Sequence, residues 1–70
     1  MNLPYNIKVV SKPKHAPKEA LENTEEHTVY GLIKARDKIV EIRKYHQANS
    51  AYFRIYSQGL LIFDSSLIHH

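Results

Sequence analysis

Residues 50–66, SAYFRIYSQGLLIFDSS, read as a β-hairpin, and the way their side chains divide between two faces governs the rest of the fold. Gln58-Gly59 is the natural turn, because glycine supplies the positive φ that a tight two-residue loop demands. Ser57 then faces Leu60, Tyr56 faces Leu61, and the pairing runs outward from there. Alternation puts Phe53, Ile55, Leu60, Ile62 and Asp64 on one side, and Tyr52, Arg54, Tyr56, Leu61 and Phe63 on the other. A slip of one residue in either strand would mix the two sets. The first set, aliphatic with one phenylalanine, is the better core face. The second holds three aromatic rings, each able to bury about 150–250 Å², which is more than a monomer comfortably exposes. Its expected cover is a protein partner, a second copy of the chain, or the loop at 11–21 laid across it with Ala20 and Leu21.

Upstream of the hairpin lies the main helix, placed at 24–47 with its regular part from about Thr28 to His46. Asn23 followed by Glu26 has the form of a capping box, Thr28 is a second candidate cap, and Glu25 and Glu26 suit the positive end of the helix dipole. The stretch HTVYGLI at 27–33 complicates this start, since its residues favour strands and Gly31 costs a helix about 1 kcal/mol. A short strand before the helix is the alternative. On a helical wheel Leu32, Ala35, Ile39, Ile42 and His46 form one apolar stripe, and Val29, Ile33 and Val40 form a second. Arg36 and Arg43, seven residues apart and nearly superposed, fall between the stripes. They must snorkel, pair with a carboxylate such as Asp64, Glu19 or Glu22, or face a partner.

Leu3, Tyr5, Ile7 and Val9 alternate with more polar neighbours, so residues 1–10 read as a first strand. Residues 11–23 read as loop, basic and then acidic: Lys8, Lys12, Lys14 and Lys18 precede any acid, and Glu19, Glu22, Glu25 and Glu26 follow without a base. The expected architecture is therefore α+β and single-domain over 1–70. It is a small three-stranded antiparallel sheet with one long helix packed on one face, in the order β-α-β-β, with the hairpin at 51–65 and a frayed tail at 66–70.

Composition narrows the function. Seventy residues bury only about 60% of the unfolded chain's surface, and with no cysteine there is no disulfide or thiolate site to add stability. Association is the remaining route. No run approaches the ~18 apolar residues of a membrane span and no secretory signal opens the chain, so the expectation is a cytoplasmic protein without a membrane. Five histidines invite a metal, but none shows a zinc-motif spacing. No serine sits in a glycine-flanked elbow, and the two glycines, Gly31 and Gly59, cannot build a phosphate loop. No catalytic residue, cofactor, metal or small-molecule substrate is expected.

What remains is an interaction protein, with Tyr52, Arg54, Tyr56, Leu61, Phe63, Arg36 and Arg43 as its contact residues and a protein partner or its own copy as a homodimer. In size and basicity the chain looks like many small phage- or virus-encoded accessory proteins. That likeness implies an inhibitor or adaptor acting on a host protein of the nucleic-acid-processing machinery. The rival is a direct binder of single-stranded RNA or DNA, in which bases stack on Tyr52, Tyr56 and Phe63 while Lys8 and Arg54 meet phosphate.

Overall fold

The computed structural model describes residues 2–67. It is α+β, with one helix packed against an antiparallel sheet, and the sheet has four strands where three are expected. The chain runs β1 (Pro4–Pro13), β2 (Asn23–Tyr30), α1 (Leu32–Asn49), β3 (Ser50–Ser57) and β4 (Leu60–Asp64), closing with a 3₁₀ turn (Ser65–Leu67). In the sheet the order is β2-β1-β3-β4, so β1 is central and β2 and β4 are the edges. Of the tail expected at 66–70, Ser66 and Leu67 belong to the 3₁₀ turn, and the remainder lies outside the described residues. No helix among the described residues is long and apolar enough to cross a membrane.

The additional strand corrects the helix start at 24. Asn23, Glu26 and Thr28 are strand residues, not caps: Asn23 pairs with Ser11, Glu26 with Lys8 and Thr28 with Asn6. The cause lies in β1. Ile7 and Val9 are wholly buried, so this strand needs hydrogen-bonding neighbours on both sides, and the β-branched and aromatic HTVY segment supplies one of them. Gly31 then makes the switch from strand to helix. Its φ of 94° lies where L side chains are strained, its amide donates to the Leu3 carbonyl at 2.9 Å, and its carbonyl accepts the Ala35 amide at 3.0 Å. The basic-then-acidic loop correspondingly shrinks to residues 14–22, since β1 extends to Pro13.

Helix α1 runs to Asn49, two residues beyond the expected end at 47, with the Ser50 amide donating to the His46 carbonyl. Of the two apolar stripes, one packs. Ala35, Ile42 and His46 are buried and Ile39 is partly buried over the sheet, but Leu32, in the first turn, is 58% exposed and does not join them. The other is exposed on the helix, Ile33 at 75% and Val40 at 49%, while Val29 belongs to β2 and packs partly against the core. The core is Ile7, Val9, Phe53 and Ile55 from the sheet against Ala35 and Ile42 from the helix.

The hairpin turns at Gln58-Gly59, both with positive φ (53° and 80°), as a two-residue loop of this kind requires. Ser57 pairs with Leu60 and Tyr56 with Leu61, as expected. Beyond them the register shifts. Ile55 pairs with Phe63 and Arg54 with Asp64, so Ile62 is an extra, bulged residue. Past the bulge the two faces are exchanged: Phe63 joins the helix side and Asp64 the side away from it. The core decides this, because Phe63 in its new position stacks on Phe53 with centroids 5.1 Å apart.

Candidate functional site

The sheet surface away from α1 is built by cross-strand rows. One row runs Glu26, Lys8, Tyr56, Leu61; the next runs Thr24, Val10, Arg54, Asp64; Lys12 stands beside Tyr52. Four of the five hairpin residues expected on a contact face, Tyr52, Arg54, Tyr56 and Leu61, are thus brought together here. Phe63 is not among them. It lies on the helix side of the sheet for the reason given above, which also removes it from the stacking platform expected for nucleic acid.

The charges of this surface are largely engaged with one another. Glu22, from the β1–β2 loop, accepts the Tyr52 hydroxyl at 2.6 Å and the Arg54 guanidinium at 3.1 Å. That hydrogen bond, with the carboxylate's charge behind it, raises the Tyr52 phenol above its ordinary value of 10.0. Lys8 stands next to Glu26 in register and 6.0 Å from the Tyr56 ring. Lys12 donates to the Lys18 carbonyl at 2.8 Å, drawing the loop toward this face. The loop does not cover it with apolar groups: Ala20 is half-buried, but Leu21 is 88% exposed. Arg54 Nε is buried without a hydrogen-bond partner among the described residues. Asp64 accepts both the hydroxyl and the amide of Ser66, at 2.7 and 3.0 Å, and these bonds hold its carboxyl below the usual aspartate value.

Arg36 and Arg43 lie elsewhere, on the exposed side of α1. The Arg43 guanidinium sits 4.4 Å from the centre of the Phe63 ring, a cation–π contact that places it over β4. None of the carboxylates considered as internal partners pairs with either arginine. Glu22 holds Arg54, Asp64 holds Ser66, and among the described residues Glu19 makes no ion pair.

A second cluster was not anticipated. On the other flank of α1 a cleft of about 300 Å³ is lined by Glu25 and His27 of β2 and by Lys38, Glu41, Tyr45 and His46 of the helix. Glu25 lies 3.5 Å from His27 Nε2 and 3.8 Å from His46 Nε2, while His46 Nδ1 shares a 2.6 Å hydrogen bond with Ser50 at the helix end. That last contact ties α1 to β3. The signal for the cluster was the period-two placement of Glu25 and His27, visible only once β2 is read as a strand. Among the described residues no group of three or more His, Cys, Asp or Glu side chains is arranged to hold a metal ion. In comparisons with known proteins, no family model matches the chain, and neither a curated protein nor a solved structure does.

Proposed function

We propose that the chain is a non-enzymatic interaction protein that binds another protein surface through the helix-free face of its sheet, around Tyr52, Tyr56 and Leu61. One observation supports this reading: the face offers aromatic and aliphatic area while its arginine is paired with the chain's own Glu22. A nucleic-acid groove needs the reverse, cations free to displace counterions from phosphate. A protein interface centres on desolvated tyrosine and leucine with charges at its rim.

The test combines mass and cross-linking. Light scattering with a random single-stranded oligonucleotide is expected to leave the mass unchanged at both low and moderate salt. A photo-crosslinking residue at Leu61 is expected to give a discrete protein adduct in cells producing the chain. Tyr56→Ala should remove the adduct while costing about 1 kcal/mol of stability, the usual loss at a half-buried position. A complex with the oligonucleotide that dissolves as salt rises would replace this reading with single-stranded nucleic-acid binding.

A further inference from the structure

We propose that the free edge of β4 and the arginine flank of α1 together form a docking groove for an extended, acidic segment of another protein. The groove lies on the helix side of the sheet, opposite Tyr52 and Tyr56, and shares with the face described above only the backbone of Leu61 at the β4 edge.

The two edges of the sheet differ in kind. The β2 edge carries Glu25 and Glu26, charges of the sort that discourage a further strand from pairing. The β4 edge opens with Leu60, Leu61 and Ile62, exposed at 71%, 48% and 46%, and has no charge before Asp64. β4 is only five residues long and bulged at Ile62, so its outward backbone groups offer a short template for an added strand on either side of the bulge.

Above this edge the cover thins among the described residues: Leu60, on the helix side, is 71% exposed and Phe63 is only partly buried. α1 packs on β1, β2 and β3, and Arg43 reaches beyond them over Phe63. Arg36, two turns earlier and about 10.5 Å along the axis, lies on the same flank as Arg43, on the side of α1 away from Lys38 and Tyr45. Neither arginine has a carboxylate partner among the described residues. An incoming strand paired to β4 would direct alternate side chains, about 6.8 Å apart, over this thinly covered edge. There they would meet Phe63 with the guanidinium of Arg43 over it, and Arg36 further along the same flank of the helix. Carboxylates at those alternate positions complement the site in charge and in fork geometry.

A second copy of the chain complements it poorly. Antiparallel self-pairing of β4 keeps both helices on one side of the joined sheet, so it directs the arginine flanks of both copies toward a shared strip. β4 brings no acid there, because the bulge at Ile62 sends Asp64 to the other face. Like charges would then gather without a counter-charge.

The probe is a blocked heptapeptide, Thr-Glu-Val-Glu-Val-Glu-Thr, compared with its counterpart carrying lysine at the three glutamates. Binding is followed by backbone amide shifts and hydrogen exchange in the intact chain. The acidic peptide should shift and protect the β4 amides, weaken as salt is raised, and have no equal in the lysine peptide. Arg36→Gln with Arg43→Gln should weaken it about tenfold, and Arg43→Lys, which keeps the charge over Phe63, should weaken it less. Equal binding of both peptides, shifts centred on Tyr52 and Tyr56, or an unshifted spectrum would overturn the proposal. So would β4 amides already protected in a doubled-mass species without peptide, since the edge would then belong to a second copy.

Discussion

Glu22 is the residue on which the helix-free face turns. It gathers Tyr52 and Arg54 from β3, 30 and 32 positions away, and so determines whether that face presents a free arginine or a neutralised one. The pair is partly exposed, so its value lies in arrangement more than in stability. Its effect on Tyr52 has a definite sign. A phenol raised above 10.0 in the folded state contributes stability that is fully present below the unfolded value and is lost as pH rises through the folded one. Glu22→Ala should therefore return Tyr52 toward its ordinary titration and blunt the alkaline loss of stability. Carbon NMR of the Tyr52 ring against pH, with the denaturation midpoint at neutral and alkaline pH, checks both. A Tyr52 titration unchanged by the substitution would remove Glu22 as the cause. None of this was legible beforehand, because Glu22 was one of four acids near the loop with nothing to single it out.

At the scale of elements, β4 and α1 show how a local rule holds until packing overrides it. The turn at Gln58-Gly59 and the first two pairs of the hairpin follow from glycine's dihedral freedom and from alternation. Ile62 then breaks the alternation, and Phe63 gains a place between Phe53 and Arg43. The bulge ranks the two residues. Phe63→Ala should cost about 2–3 kcal/mol, near the low end for a phenylalanine because the ring is only half-buried, whereas Ile62→Ala should cost under about 1 kcal/mol. Urea denaturation of the two variants would show it, and the reverse ranking would restore an unbroken ladder. In the same way Gly31 halts β2 and starts α1 with no side-chain cap, a junction that its neighbours' strand and helix preferences left open.

For the whole molecule the consequence is a core on one side of the sheet only. One helix covers one face; the other face and the β4 edge are left to solvent or to partners. The helix itself is similarly divided. Ile42→Ala, in the core at 6% exposure, should cost about 2–5 kcal/mol, while Ile33→Gln, on the same helix but 75% exposed, should stay within about 0.5 kcal/mol. Thermal unfolding of both would test whether the apolar residues on the outer side of α1 contribute to folding at all. If Ile33→Gln is as costly as Ile42→Ala, the outer stripe is buried against something, and the chain does not fold as an isolated monomer.

What the sequence determined by itself were the features set by local periodicity and local dihedral demand. These are the alternation of Tyr5, Ile7 and Val9, the turn at Gln58-Gly59, the inner stripe of Ala35, Ile39, Ile42 and His46, and the grouping of Tyr52, Arg54, Tyr56 and Leu61. Each can be read within a window of ten to twenty residues, because strand and helix periods differ and glycine readily supplies a tight turn's positive φ. Only the tertiary structure decided that 23–30 is a strand, that Ile62 bulges, that Glu22 meets Arg54, and that Arg43 lies over Phe63. The reason is physical: each depends on what a distant segment requires. A central strand needs a second neighbour, a core needs an aromatic ring, and a charge needs a partner, and these needs outweigh local preferences worth about 1 kcal/mol or less.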